Sequence, residues 1–308
     1  MKRRLLSLCS LCVLAGLLAH AAPYDLKEPS ADEIAKMRAA MPAKATAKPA
    51  KPRKILILSQ CEGFKHSSVP YAEKAFEILG QKTGAFSTVA TIDSGILESP
   101  EFDTFDAILM NSTTMRLPLL QVDTKDMTEA QKQALAVREL AVQKRFVDFV
   151  RNGKALIGVH AGTDCLYKWA EYGEMMGGYF NSHPWNEDVT VKLDDPGHPL
   201  MKAFRGQSFV VKDEIYQFKE PYSRDKLRVL LSLDVTRINM NKKNIRRDDG
   251  DFAVAWIRPY GKGRVFYGEF GHRTETWWNP VILRFYLDAI QYAAGDLPAD
   301  AVPSARGP

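Results

Sequence analysis

Short apolar runs alternate with helical patterns in the first half of the chain. Ile55-Leu56-Ile57-Leu58 is continuously apolar between polar flanks, which is typical of a strand that is buried on both faces. The segments "STVATID" and "DAILMNS" predict a second and a third strand, and residues 69–82 predict a helix. Because apolar strands alternate with helices, the pattern predicts an α/β domain with a mainly parallel sheet that is covered on both sides.

A long helix and a fourth strand follow. Thr128 and Gln131 can form a capping box, which predicts a helix that begins there and ends at Asn152-Gly153. An apolar run, residues 155–157, then leads into "GVHAG", residues 158–162. Glycines two residues on either side of His160 favour a sharp turn from a strand into a helix, because glycine tolerates close approaches that other residues resist. Such an elbow usually carries a catalytic Ser or Cys, so the histidine is unusual.

The second half of the chain has short apolar segments with few helices between them. It predicts additional, antiparallel strands over residues 187–193, 214–218, 228–233, 252–257 and 265–270. A hairpin turn is predicted over residues 259–263, and a last helix from Pro280 to about Ala294.

The N-terminal residues have the pattern of a secretory signal. Lys2-Arg3-Arg4 precede the apolar run "LLSLCSLCVLAGLL", and Ala19-His20-Ala21 offers small residues for cleavage. We therefore expect removal of residues 1–21 and export to the periplasm or cell envelope. No stable transmembrane anchor is expected, since the run is shorter than the roughly 20 residues of a spanning helix. Residues 22–53 are rich in Ala, Lys and Pro and predict a flexible tether with one short helix, and residues 54–308 predict a single domain.

The charge of the mature chain argues against nucleic-acid binding. The formal charge of +5 falls to +2 when the three basic residues of the signal are removed, and the predicted domain contains no basic run. Two cysteines, Cys61 and Cys165, remain, which are too few for a disulfide scaffold.

Three histidines are predicted at the ends of strands. His66 lies in the loop after the first strand, His160 ends the elbow strand, and His272 follows the last strand. If these strands are parallel, the three imidazoles face one crevice, where open α/β sheets bind ligands. His183, in "GGYFNSHPW", can fold over the same edge, whereas His198 has the context of a turn residue. We predict that His66, His160, His183 and His272 form a functional cluster; the alternative for each is an ordinary hydrogen-bonding role.

Acidic and aromatic residues extend the candidate site. Asp164 is one turn beyond His160 if a helix starts at once, and it either fixes the imidazole tautomer or only adds charge to the first turn. Asp213 and Glu214 begin a predicted strand, either as a solvated strand end or as part of the site. Aromatic walls with convergent polar groups suit a sugar. The candidates for substrate contact are Trp185, Tyr216, Glu214 and Trp277.

Five motifs, in this order, resemble the trehalose utilisation (ThuA-like) family: "GFKHSS", "GVHAGTD", "SHPW", "KDEIYQF" and "AWIRPYGKGRVFYGEFGH". The resemblance covers residues 54 to about 294 and implies a flavodoxin-like, glutamine amidotransferase-like three-layer sandwich. The amidotransferase elbow carries a cysteine, which His160 replaces here, while Cys165 lies five residues away. Glutamine hydrolysis is therefore not expected. An imidazole at a helix N-terminus would be held neutral, as a base or a metal ligand.

The resemblance also implies a role in the catabolism of glycosides through 3-keto intermediates. Oxidation at C3 makes the neighbouring C–H acidic, so a base can remove this proton while a metal or a hydrogen-bond donor stabilises the enediolate. We expect an enzyme that catalyses elimination, hydrolysis or isomerisation, with His160, His66 and Asp164 as catalytic residues. The histidine cluster would bind a divalent metal such as zinc, and a dehydrogenase would supply the ketosugar. The alternative is a non-catalytic carbohydrate-binding or accessory domain.

Overall fold

The computed structural model describes residues 24–303, so the predicted signal segment lies outside the described residues. The helices are α1 (Ala31–Ala40), α2 (Val69–Thr83), α3 (Glu129–Arg151), α4 (Ala170–Met176) and α5 (Pro280–Ala293). The strands are β1 (Lys54–Leu58), β2 (Ser87–Thr91), β3 (Ala107–Asn111), β4 (Ala155–Val159), β5 (Tyr179–Leu193), β6 (Phe209–Lys219), β7 (Arg228–Leu233), β8 (Ala253–Tyr260) and β9 (Gly263–Gly268). None of the helices in residues 24–303 is long and apolar enough to cross a bilayer.

The strands form one sheet with a parallel half and an antiparallel half. Their order is β2-β1-β3-β4-β9-β8-β7-β5-β6. Strands β2, β1, β3, β4 and β9 are parallel, and the pairs from β9 to β6 are antiparallel. The hairpin between Tyr260 and Gly263 turns the chain so that β9 joins the parallel half. The carboxyl ends of β1, β4 and β9 therefore lie at the same edge of the sheet.

Side chains of the central strands alternate between two cores. Ile55 and Ile57 of β1 belong to the core that contains α2 and α5, and Leu56 and Leu58 belong to the core that contains α3 and α4. All four side chains are completely buried, which explains the continuous apolar run. The result is the three-layer α/β sandwich of the flavodoxin and glutamine amidotransferase type that the family resemblance implies.

The start of α3 agrees with its prediction, whereas the start of β5 does not. The capping box at the start of α3 is confirmed, with the Thr128 side chain accepting from the backbone of Gln131 and the Gln131 side chain accepting from the backbone of Thr128. Strand β5, however, begins eight residues before its predicted start, at Tyr179. Irregular register around Ser182 and Trp185 lets this proline-containing stretch pair with β6, so His183 lies on a strand rather than in a loop.

The segment predicted as a flexible tether is packed against the domain. Helix α1 forms where it is predicted, and its Met37 is completely buried. The backbone N–H of Thr46 donates to the side chain of Gln291 at 2.7 Å, and Arg53 pairs with Asp296 at 2.6 Å. The short helix is thus present where it is predicted, and the residues after it have partners on and after α5 that composition does not show.

Candidate active site

The turn after β4 holds His160 in a strained conformation at the edge of the sheet. Its φ of 48° lies in the left-handed region, which is uncommon for residues other than glycine. A Cβ atom on Gly158 would lie 2.7 Å from the sulfur of Met176, and one on Gly162 would lie 3.1 Å from the carbonyl oxygen of Met110. Both flanking glycines therefore lie close to neighbouring atoms, as the elbow pattern predicts. The strain falls on the residue that carries the imidazole.

No α-helix follows His160 directly. Residues His160–Thr163 form a single 3-10 turn, and α4 begins only at Ala170. The carboxylate of Asp164 accepts a hydrogen bond from the hydroxyl of Tyr167 instead of contacting the imidazole. The predicted roles of Asp164 as the partner that fixes the His160 tautomer, or as first-turn charge of a helix, are therefore wrong.

Glu269, the residue after β9, lies beside His160 instead. The Nδ1 atom of His160 lies 3.1 Å from the carbonyl oxygen of Glu269 and 3.3 Å from its carboxylate. A carbonyl oxygen can only accept, so this hydrogen bond assigns a proton to Nδ1. Glu269 is fixed by the hydroxyl of Tyr267 at 2.5 Å and the backbone N–H of Tyr216 at 3.2 Å. Glu269 was not among the predicted site residues. Its position at a strand end, three residues before His272, could have indicated it.

Four side chains converge at this edge of the sheet. One potential ligand atom from each lies within 4.8 Å of those of the others, in the group His66, His160, Glu214 and His272. Three of these residues follow the parallel strands β1, β4 and β9, and the structure brings them together as the strand directions predict. The fourth comes from β6, in the antiparallel half of the sheet.

Glu214 connects the histidines. One carboxylate oxygen lies 3.2 Å from Nδ1 of His272 and 3.6 Å from Nε2 of His160, and the other lies 3.2 Å from Nδ1 of His183. The His183 side chain is 51% exposed and lies outside the four-residue group. The fourth possible ligand is thus Glu214, which was predicted as a substrate contact, and not His183, which was predicted as a ligand.

Asp213 supports the loop that carries His272. Its carboxylate accepts hydrogen bonds from the backbone of Gly271 at 2.9 Å, from the backbone of Arg273 at 3.2 Å and from the hydroxyl of Thr276 at 3.0 Å. Successive side chains of a strand point to opposite faces, so Asp213 and its neighbour Glu214 serve different purposes. Both carboxylates are buried, and the interpretation as a solvated strand end is wrong.

Comparisons with known proteins agree with this architecture. The sequence model of the family described as ThuA, trehalose utilisation, matches residues 54–293. The chain belongs to the ThuA family. It is similar to a ThuA-like protein from Bacteroides uniformis, with 25% identity, a TM-score of 0.55, and coverage of 78% of this chain and 93% of that chain. A ThuA-like protein from Parabacteroides merdae shares the fold, with 17% identity, a TM-score of 0.54, and coverage of 80% and 91%. No match is found among curated proteins.

The histidines of this ThuA-family site have opposite protonation preferences. Burial, followed by the neighbouring His160 and His272, lowers the pKa of His66 to about 2, so its imidazole is neutral. Burial also disfavours the charged form of His160, but hydrogen bonds with Glu214 and Glu269 outweigh it and raise the pKa of His160 to about 10. Two carboxylates stand where the sequence predicts a helix N-terminus, and they favour the charged form of His160 rather than the expected neutral form.

The carboxylates of the site carry the compensating charge. Burial opposes ionisation of Glu214, but hydrogen bonds with His160 and His272 hold the pKa of Glu214 below its usual value. Burial raises the pKa of Glu269 to about 7, although the contact with His160 favours its charged form. The site therefore stabilises a positive charge between Glu214 and Glu269.

Two of the predicted substrate contacts are core residues. Trp185 and Trp277 are completely buried. The indole N–H of Trp185 donates to the backbone of Asn239 at 2.9 Å, and the ring of Trp277 packs 5.1 Å from that of Phe76. Neither tryptophan has surface that a substrate can reach, so the prediction is wrong for both.

Other aromatic residues lie at the site. The hydroxyl of Tyr216, a predicted substrate contact, lies 3.1 Å from Nε2 of His160, although the residue is buried. Phe64, not among the predicted substrate contacts, is 63% exposed, and its ring lies edge-on to His66 at 4.8 Å. Phe180 contacts the ring of Tyr216 at 4.4 Å. An exposed phenylalanine beside a polar cluster offers a platform for the apolar face of a ligand.

The thiols of this ThuA-family protein lack the features of a nucleophile. Cys61 and Cys165 are buried and unpaired. Burial raises the pKa of Cys61 to about 11 and that of Cys165 to about 12. A reactive cysteine requires an accessible thiolate, so the structure argues against chemistry of the amidotransferase kind.

One cavity lies away from the histidines. It has a volume of about 940 Å³ and is lined by the N-terminal segment, α2 and β2, including Lys48, Arg53, Glu73 and Phe86. It contains none of the clustered side chains. The candidate site is therefore identified by its chemistry and topology rather than by its volume.

Proposed function

We propose that this ThuA-family protein is an exported enzyme that acts on 3-keto-glycosides, with the cluster of His66, His160, Glu214 and His272 as its active centre. The convergence of these four side chains within 4.8 Å, at the edge where open α/β sheets bind ligands, carries the proposal. Membership of a family described as trehalose utilisation supports a glycoside as the substrate. A dehydrogenase that oxidises C3 would have to supply this substrate.

We propose further that the cluster holds a divalent metal ion such as zinc, for which imidazoles and carboxylates are common ligands. The residues fit such an ion in two respects. His66 is neutral, and its buried Nδ1 has no hydrogen-bond partner among the described residues. Nδ1 of His160 is held by Glu269, which resembles the outer carboxylates that orient metal-bound histidines. A bound ion would act as a Lewis acid towards the ketone and its enediolate.

His183 is the group that we propose as the base. It lies at the exposed side of the cluster, and its Nδ1 faces Glu214 at 3.2 Å. A proton on Nδ1, donated to this carboxylate, leaves Nε2 free to accept one from the substrate, which is the usual arrangement of a general base. This role passes to His183 because His160 and His66 are assigned as ligands.

Asp164 is proposed as the acid. Burial raises the pKa of Asp164, which favours a carboxyl group that can donate a proton. In an elimination, the C2–H bond breaks to His183, a C1–C2 double bond forms, and the C1–O bond of the aglycone breaks. The departing oxygen takes the proton from Asp164, so atoms and charges balance.

The test is product formation by the mature chain from a panel of 3-keto-glycosides. His160→Asn suits the comparison, because asparagine tolerates the left-handed backbone of this position. His198→Asn is the matched control, since His198 caps a 3-10 helix and asparagine is a good capping residue. We expect turnover by the wild type and by His198→Asn, and a loss of roughly 100-fold or more in His160→Asn, because stabilisation of the enediolate would be weakened. Full activity in His160→Asn would contradict the proposal.

One observation favours a second candidate, a non-catalytic carbohydrate-binding domain. Four protein ligands are typical of a closed, structural zinc site, whereas catalytic sites usually keep a position open for water. Tight binding of unoxidised sugar by a folded, metal-loaded wild type, without turnover of any ketosugar, would support this alternative.

A further inference from the structure

Arg273 contacts Asn186, a neighbour of Glu214, and its side chain pairs with no carboxylate among the described residues. The residue follows His272, and its guanidinium donates to the side-chain oxygen of Asn186. The amide nitrogen of Asn186 lies 3.5 Å from Glu214. An arginine beside an acidic centre normally forms an ion pair with it, but Asn186 stands between Arg273 and Glu214. Among the described residues, no carboxylate forms an ion pair with Arg273.

The guanidinium of Arg273 has unused hydrogen-bonding capacity. Its buried Nε has no hydrogen-bond partner among residues 24–303. An unpaired buried donor is rare in a folded protein, so the guanidinium of Arg273 is not saturated by acceptors of the described residues. The backbone N–H of Arg273 is held by Asp213 at 3.2 Å, so the residue is fixed in place before any ligand binds.

A second arginine lies on the other side of His183. Arg246, in the loop between β7 and β8, donates to the side chain of Asn181 at 3.0 Å and to its backbone oxygen at 3.3 Å. It likewise forms no ion pair with a described carboxylate. Along β5, Asn181 and Asn186 flank His183, so the two guanidinium groups bracket the histidine that faces Glu214.

We propose that the substrate of this site carries an anionic substituent, a carboxylate or a phosphate, which Arg273 binds. Arginine presents several donors in a fixed plane that matches either group, and it keeps its charge at any working pH. The inference rests on the proposed function only in taking the cluster as the substrate site. It narrows the substrate from glycosides in general to acidic or phosphorylated ones.

Calorimetric binding of glucose, glucuronate and glucose 6-phosphate to the mature chain tests this inference. We expect at least one of the anionic sugars to bind roughly tenfold to a hundredfold more tightly than glucose, as hydrogen bonds to a charged group imply. The sugar that shows this preference identifies the substituent. Arg273→Gln should abolish the preference, and Arg273→Lys should keep part of it through its charge.

Arg205→Gln is the matched control, because Arg205 is an exposed arginine on a different turn and should leave the preference unchanged. Equal binding of all three sugars, no binding of either anionic sugar, or a preference that survives in folded Arg273→Gln would overturn the inference. A preference that survives would indicate that the anion binds elsewhere, such as on a metal. Since binding requires no turnover, a failure of the 3-keto-glycoside assay leaves this test intact.

Discussion

The Nδ1 atom of His160 lies 3.1 Å from the backbone carbonyl and 3.3 Å from the side-chain carboxylate of Glu269. The two residues follow neighbouring parallel strands, β4 and β9, so the sheet itself sets their separation. The imidazole is thereby held in one orientation, with Nε2 directed towards Tyr216 and Glu214. Glu269 is a positioning residue, because it acts on the site through His160.

Glu269→Gln keeps the size of the side chain and removes its charge. We expect the affinity of the site for a divalent metal to fall roughly 10- to 100-fold, as is usual when such an outer carboxylate is lost. Competition with a chromophoric chelator measures this affinity. Glu139→Gln is the control, since Glu139 is a buried carboxylate that binds the backbone of Leu119 and Leu120 instead. Equal metal affinities in the two variants would show that Glu269 does not orient a ligand.

Thiol reactivity should depend on unfolding rather than on moderately alkaline pH. Burial raises the pKa of Cys165 to about 12, against an ordinary value of 9.0, so the folded chain keeps this proton when an unfolded thiol has lost it. Modification by a disulfide reagent at pH 8 to 9 should therefore be slow in buffer and rapid in denaturant. Rapid labelling of Cys165 in the native chain, located by mass spectrometry, would contradict the description of Cys165 as an inaccessible, protonated thiol.

The raised pKa of Cys165 also predicts the direction in which the free energy of unfolding changes with pH. Above pH 9 the unfolded chain binds fewer protons than the folded chain, so the free energy of unfolding should fall as the pH rises from 9 towards 12. Cys165→Ser removes this titration. Urea titrations at pH 8 and pH 10 should show a smaller loss of stability for the serine variant than for the wild type.

The packed N-terminal segment should contribute to stability. Met37 on α1 is completely buried, and Met37→Ala is expected to lower the free energy of unfolding by about 2 to 5 kcal/mol. Val137→Ala, on the exposed side of α3, is the control, with an expected change within about 0.5 kcal/mol. Urea denaturation measures both changes. If Met37→Ala behaves like Val137→Ala, residues 31–53 are a tether after all.

Elements that depend on patterns of a few neighbouring residues are present where the sequence predicts them. The apolar runs, the capping box at Thr128 and the glycines around His160 act over a few residues, and the elements that they predict are present. The helix expected directly after His160 is absent, because residues His160–Thr163 form a 3-10 turn.

Long-range relationships were harder to predict. Glu214 and Glu269 meet His160 because β6 and β9 are folded against the same edge, and no spacing in the sequence expresses this. Trp185 was misplaced for a related reason. Composition identifies an aromatic residue near the site, but the irregular pairing of β5 decides which face of the sheet it occupies.

The metal content of purified protein comprising residues 22–308, after incubation with zinc and removal of excess ion, tests the central claim most directly. We predict about one equivalent bound with high affinity, as expected for a single site of this ligand set. His183→Ala should retain the ion, because His183 lies outside the four-residue group, whereas Glu214→Gln and His272→Ala should lose it while remaining folded. A folded wild type without stoichiometric metal, or metal binding at the wild-type level in Glu214→Gln and His272→Ala, would contradict the assignment of this cluster as a metal centre.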